Sequence, residues 1–537
     1  MASDMVRVPR PSNNQFSQEP RASIGRSQFN RSHGLKTTFN ASLLIPIYVD
    51  EVLPGDTFTC RLNGFCRIFS PLDAPIMDNI EMETFFFFVP TRLLWDNWEN
   101  FNGAHDAAGA QDTNYTIPIC NTPTQINHDG ADNEGRLFMA YMGLPEGLDT
   151  QDVDVNCLPF RAYHFIYNEW FRDQNLIDEV AWPTDNGPDD ATEIGVLHKS
   201  AKKHDYFTSC LPYLQKGSAV TVGLTGITAV EMNAGAVGDV PTIWAATAAT
   251  FQKLDSDGAQ VDVSASGGFS SEQLQVNLGG ALNTTAGLDI NALRQSVAIQ
   301  RLLEKDARGG TRYVEIIKSH FGVTSPDFRL QRPEYLGGGK SFINVSPVAN
   351  TSDTATAKQA ELSGVGTGVI QGHSWAKSFV EHGYILGLIR ARGDLTYFQG
   401  LERMWTRSTR YDFYIPSLAN LGEQSVLNKE LFISNLAATD DAVFGYQERW
   451  AEYRFKKSNI TATFNPDIAG SLSHWHLAED FSSLPSLNAT FIEDQTPMVR
   501  VETITTEHDF LLDLWFDLKC ARPMPVHSIP SLVGVHF

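Results

Sequence analysis

A chain of 537 residues with a formal net charge of −22 is no polycation, so any nucleic acid it meets must draw most of its counter-charge from elsewhere. Charged residues make up 19%, below the roughly 25% of ordinary soluble domains, while 42% are hydrophobic and 11% aromatic. That balance suits a chain that hides much of its outer surface in contacts, and the length suggests roughly three to four domains unless long insertions swell one β domain.

Residues 1–36 read as an arm. Arg7, Arg10, Arg21, Arg26, Arg31 and Lys36 face only Asp4 and Glu19, and Pro9, Pro11 and Pro20 argue against regular structure. Such an arm either touches nucleic acid or a neighbouring subunit, or stays a solvated tail. Its opening residues hold no apolar signal core, and no apolar run approaches the ~20 residues of a membrane helix, which predicts a soluble protein made in the cytoplasm. From Thr37 the pattern turns β: Thr38–Val49 is apolar and β-branched, Pro54-Gly55-Asp56 is a turn, and Thr57–Phe69 alternates Phe58, Cys60 and Leu62 with Thr57, Thr59 and Arg61. Met77–Gly103 holds four consecutive phenylalanines, Phe85, Phe86, Phe87 and Phe88. Alternate side chains point to opposite faces of a strand, so this run must be covered on both. Trp95 and Trp98 follow as large anchors for loop or subunit contacts.

After an Asn-, Asp- and Gly-rich excursion, Tyr163, Ile166, Tyr167, Trp170 and Phe171 share one face of a predicted helix over Phe160–Phe171. Gly217–Gly287 then shifts to Ala, Gly, Thr and Ser, with Trp244, Phe251 and Phe269 as a minimal core, and reads as an inserted, exposed subdomain with short strands such as Gln275–Leu278. Asp289 is placed to cap a helix over Ile290–Arg308 that Gly309-Gly310 stops. Further strands are predicted at Ser378–Arg392, Tyr411–Ile415, Glu448–Phe464 and Phe510–Lys519, before a proline-rich tail over Cys520–Phe537 that needs a surface to lie on. The six cysteines, Cys60, Cys66, Cys120, Cys157, Cys210 and Cys520, form no CxxC pair and read as buried free thiols.

No segment carries a catalytic signature. Leu336–Ser341 (LGGGKS) has Glu334 where a phosphate loop needs glycine, and reads as a turn. Gly364–Val369 is too short for a dinucleotide fingerprint. His474 and His476 would share one side of a strand, but no third ligand is spaced for a metal site. His198 and His204 bracket Lys199, Lys202 and Lys203 as a local basic patch. Carboxylate pairs drawn from distant strands, as glycosidases use, leave no mark in sequence.

Asp50–Asp56 (DEVLPGD), Met77–Gly103, Asp306–Gly339, Leu421–Phe432 and Lys519–Phe537 together resemble the major capsid proteins of the gokushovirus branch of the Microviridae, small tailless phages with single-stranded DNA. The resemblance runs nearly end to end and is weakest over Gly217–Gly287. It implies a mainly β fold, an eight-stranded antiparallel jelly roll with long insertions. The expected layout is a basic arm (1–36), the first part of the jelly roll (37–216), a surface protrusion (217–287), the rest of the jelly roll (288–519) and a tail in subunit contacts (520–537). It further implies sixty copies in a T=1 icosahedral shell around circular single-stranded DNA, assembled in the bacterial cytoplasm, with threefold protrusions that meet a bacterial receptor. The partners implied are an internal scaffolding protein, a pilot protein and a small basic DNA-packaging protein. No cofactor, metal or catalytic residue is expected. Arg7, Arg10, Arg21, Arg26 and Arg31 are the nucleic-acid contacts that charge alone suggests. The alternative is a jelly-roll carbohydrate-binding protein or glycoside hydrolase.

Overall fold

The computed structural model describes residues 25–104, 115–121, 134–145, 154–190, 194–218, 220, 242–245, 250–256, 261–264, 290–309, 313–322, 329–353 and 359–527. Contacts divide the chain into two compact units, residues 1–214 with 324–537, and residues 215–323.

Nine strands of the first unit form one antiparallel sheet: β1 (Ser27–Asn30), β2 (His33–Phe39), β3 (Ile45–Val52), β4 (Thr57–Ile68), β5 (Ile80–Pro90), β6 (Glu334–Ala349), β7 (Leu362–Ser378), β8 (Gly383–Gly393) and β9 (Phe510–Arg522). β1 and β2 run along successive halves of β9, from Ser27 opposite Arg522 to Phe39 opposite Phe510, and serve as a single edge. The sheet therefore has eight positions. Numbered along the chain, they lie side by side as 1-8-3-6-5-4-7-2, two interlocked Greek keys. That order is the jelly roll, as the sequence led us to expect.

Period-two patterning explains why these segments pair. In β4, Phe58, Cys60, Leu62, Cys66 and Ile68 are buried while Thr59, Arg61, Phe65 and Arg67 are exposed, and β9 repeats the alternation. The sheet curls until its edges meet, with Arg31 paired to Asp50 and the His33 and Tyr48 rings 5.9 Å apart. All six cysteines are free and buried.

β5 is the strand covered on both faces. Phe86 and Phe88 look inward onto Trp375 (5.8 Å from Phe86) and Phe379 (4.6 Å from Phe88). Phe85 and Phe87 look outward under Phe171, with centroids at 5.1 and 5.8 Å. The cover is helix α1 (Leu158–Ile166), which widens into a π turn over Tyr167–Phe171 and carries the predicted aromatic face. The buried Arg161 anchors the helix through a bidentate pair with Asp189 at 2.8 and 2.6 Å and bonds to the carbonyls of Leu94 and Asp185.

Several segments depart from expectation. Residues 27–30 and 33–36, assigned to the arm, are the edge strand, because β9 offers them a free row of backbone partners. Thr38–Val49 is broken by a turn at Ser42, held at φ 71°. Leu336–Ser341 lies inside β6 rather than in a turn. Its glycines let strands and side chains approach closely: a Cβ at Gly338 would meet Thr84 O at 2.0 Å, and one at Gly339 would meet the His373 ring at 2.3 Å. Tyr411–Ile415 is not a strand, because Thr409 and Asp412 form a capping box that starts a 3-10 turn. The strand Val443–Glu448 ends at the first residue of the predicted Glu448–Phe464 run, since Trp450 takes the left-handed conformation at φ 69°.

In the second unit, Thr242–Ala245, Thr250–Ser256 and Val261–Ser264 form a small antiparallel sheet, with Trp244 opposite Phe251 in its register. Helices α2 (Ile290–Arg308) and α3 (Tyr313–Phe321) belong to the same unit. Asp289, Phe269 and the Gln275–Leu278 stretch lie outside the described residues.

Candidate assembly surface

The long connection from β8 to β9 builds a platform and then leaves its aromatics uncovered. The hairpin of Glu423–Leu427 with Val443–Glu448 supports a second core of Phe207, Tyr397, Val426, Leu431 and Phe491. Around it, Trp405 is 70% exposed and Tyr411 69%, and Met404, Phe413, Tyr414, Leu421, Tyr453 and Phe455 are exposed as well. A monomer rarely leaves such a concentration in water, and contact surfaces favour Tyr, Trp, Met and Arg.

These side chains are held, not loose. The Arg407 guanidinium stacks over Tyr453 at 4.3 Å and Phe413 at 5.5 Å while pairing with Glu452 at 3.2 Å. Gln424 donates to the other Glu452 oxygen at 2.7 Å. The buried Trp450 donates its indole N–H to Leu418 O at 3.0 Å and meets Tyr414 edge-on at 5.6 Å. Thr409 and Ser408 backbone N–H groups pull the Asp412 carboxyl down to about 2, which pins the turn presenting Tyr411. Burial pushes the Glu430 carboxyl above its usual range although Arg403 pairs with it at 3.2 Å and the Tyr206 hydroxyl donates to it at 2.9 Å. Rigid aromatics lose little side-chain entropy on contact, which is what an assembly surface needs.

The residues singled out from sequence separate clearly. Phe86, Phe87, Phe88 and Trp95 are buried and Phe85 is partly buried, and Trp95 donates to Asn186 Oδ1 at 2.8 Å. Trp98 packs on Trp95 and Phe101 at 6.3 and 5.6 Å and meets His382, in the turn before β8, edge-on at 5.5 Å. Arg26 donates to Thr57 and Ala521, and Arg31 is committed to Asp50. Arg7, Arg10 and Arg21 lie outside the described residues. His198 is not part of a basic patch. Burial against Tyr167, Tyr163 and His164 drives it down to about 3, so it is neutral. His476 bonds to Phe464 O at 2.8 Å and His474 sits in a 3-10 turn; among the described residues no group of ligands could hold a metal.

Among the described residues, Glu502 and Asp509 form a close carboxylate pair. Burial and the neighbouring carboxylate push Glu502 up to about 8, while Asp509 accepts from the Ala41 amide at 2.7 Å. The two are hydrogen-bonded to each other. Glycosidase carboxylates stand about 5 Å or more apart to hold a sugar between them, so this pair does not fit that chemistry. Periodicity could not reveal the surface around Trp405, because it lies on turns. Its one sequence mark is density of contact-type residues, in Met404–Pro416 (MWTRSTRYDFYIP).

Known proteins match along almost the whole chain. The model of the family described as capsid protein (F protein) matches residues 17–532. Capsid protein VP1 of Bdellovibrio phage phiMH2K is 45% identical, covering 97% of this chain and 98% of its own length. Capsid protein VP1 of Chlamydia phage 1 is 39% identical over 98% and 99%, and that of Spiroplasma virus 4 is 33% identical over 95% and 96%. The carbohydrate-binding or glycoside hydrolase alternative finds no support in these matches.

Proposed function

This chain belongs to the capsid protein (F protein) family, and from that premise we propose how it builds and fills a shell. It is a structural, non-enzymatic protein of the virion that assembles with copies of itself. Sixty copies close into a T=1 icosahedron around circular single-stranded DNA. The aromatic surface around Trp405 and Tyr411 is a contact between neighbouring copies, and it is the observation that carries the reading. The platform beneath it is packed and bonded, yet its outer aromatics have nothing to cover them within the described first unit.

Residues 217–287 form the protrusions at the threefold axes that meet a bacterial receptor. Of the tail expected over Cys520–Phe537, Cys520–Arg522 belong to β9, and residues 523–537 continue from that strand onto a neighbour. The net charge of −22 leaves the genome to be neutralised by a separate small basic protein, with the arm residues Arg7, Arg10 and Arg21 adding cations inside. A scaffolding protein guides assembly in the bacterial cytoplasm, and a pilot protein travels with the particle. The test is expression of the full chain with its scaffold in bacteria, followed by sedimentation and electron microscopy. The expected product is a closed shell of uniform size; a monodisperse monomer overturns the reading.

A further inference from the structure

The outward face of β5 does not close completely under its helical cover. Between Phe85, Phe87 and the π turn lies a cavity of about 440 Å³ within the first unit, in the size range of ligand clefts. Its walls combine aromatic planes with cations. Trp170 and Tyr335 line it with rings 6.1 Å apart, and each remains 43% exposed.

Five cations reach the same space: Arg172, Lys202, Lys203, Arg390 and Arg392. Asp173 is the one carboxylate on the wall. Glu83 pairs with Arg390 and Arg392 at 2.7 and 3.0 Å, Glu81 pairs with Lys203, and Glu479 with Lys202 at 3.0 Å, but none of these three glutamates lines the cavity. Two guanidinium groups keep unspent donors. The side chain of Arg392 is more than nine-tenths buried and its Nε has no partner; Arg172 spends Nη1 on Ile177 O at 2.9 Å and leaves its buried Nε unbonded. A buried N–H without an acceptor is costly, and these two leave the guanidinium groups on this wall under-satisfied.

We infer that this cavity binds a single nucleotide, its base against Trp170 and Tyr335 and its phosphate among Arg172, Lys203 and Arg392. An acidic peptide would satisfy the cations but leave the ring faces unused. A base pair inside a duplex could not enter, since the base must first be unstacked, whereas single-stranded DNA offers its bases freely. A free mononucleotide has the same chemistry, and the source is decided by experiment. The assignment to the enclosed strand rests on the capsid reading above.

The test uses the full chain and a fluorescent oligothymidylate, with anisotropy read at two salt concentrations. Trp170→Leu and Arg172→Gln are each expected to weaken binding about tenfold, while Lys519→Gln, which removes an exposed cation on β9 away from the cavity, leaves it unchanged. Thymidine monophosphate should compete and inorganic phosphate should compete far less. Mononucleotide binding as tight as that of the strand would assign the pocket to free nucleotides. Brominated single-stranded DNA, photocrosslinked to wild-type protein, should mark Trp170 or Tyr335 without any variant. Equal binding by both variants, equal competition by phosphate or by duplex, or crosslinks confined to other regions would overturn the assignment. Shell formation is scored on the same samples: shells without pocket binding overturn the pocket alone, whereas a wild-type chain that forms no shells overturns the capsid reading.

Discussion

Phe85–Phe88 on β5 and the aromatics around Trp405 are built from the same kinds of side chain and end in opposite surroundings. The first run sits on a strand whose alternation sends Phe86 and Phe88 into the barrel and Phe85 and Phe87 under the π turn. The second sits on turns, where Arg407 and Trp450 fix the backbone and the rings project outward. Apolar area is spent on folding in one place and kept for association in the other. Each buried phenylalanine contributes about 1.5–3 kcal/mol to the fold; each exposed one contributes only when a partner covers it.

That difference can be broken from the folding side first. Phe86→Ser places a hydroxyl and a void among Tyr48, Trp375 and Phe88's neighbours, at a cost of about 4 kcal/mol or more, and should leave no soluble protein. Phe87→Ser should act through the cover instead, with loss of packing on Trp170, Phe171 and Tyr335. Soluble yield and chemical denaturation check both; full yield from both variants contradicts the two-sided burial.

A smaller effect tests the platform. Arg407→Ala removes the cation between Phe413 and Tyr453 and strands Glu452 beside Gln424, at about 1–3 kcal/mol. The folded chain should survive with a lower melting temperature and a reduced shell yield. An unchanged shell yield would mean that the geometry of the aromatics is irrelevant to assembly.

The smallest effect concerns pH and lies on the barrel side. Glu502 is held at about 8, above its ordinary value near 4.5, by burial and by Asp509. The folded state then binds more protons than the unfolded state between those values. The stability associated with this group is present below the unfolded value and is lost as pH rises toward 8. Glu502→Gln should therefore raise the melting temperature by a few degrees at pH 8 and change little at pH 4, as differential scanning calorimetry can read. An equal shift at both pH values would contradict the assignment.

The sequence made the barrel legible wherever side chains alternate. β4, β5 and β9 announce themselves, and Tyr163 to Phe171 reveal the covering helix. β6 and β7 do not, because Gly337, Gly338, Gly339, Gly364, Gly366 and Gly368 replace pattern with close approach. The edge strand over residues 27–36 escaped for a related reason: its pairing is dictated by β9, not by its own polar composition. His198 looked cationic beside three lysines, and only the packing of Tyr163 and Tyr167 around it makes it neutral. Glu448–Phe464 reads as strand by residue type, yet one left-handed residue, Trp450, ends the strand. The assembly surface was the least legible, since turns carry no period.

The most direct test puts a charge on the exposed side alone. Trp405→Asp in the full chain should leave the melting temperature within a degree or two of wild type, because a side chain in water contributes little to the fold. The same protein, expressed with its scaffold and examined by sedimentation velocity, should run as folded subunits with no shell peak. Shells at wild-type yield from that variant would contradict the claim that the aromatics around Trp405 are kept for neighbouring copies.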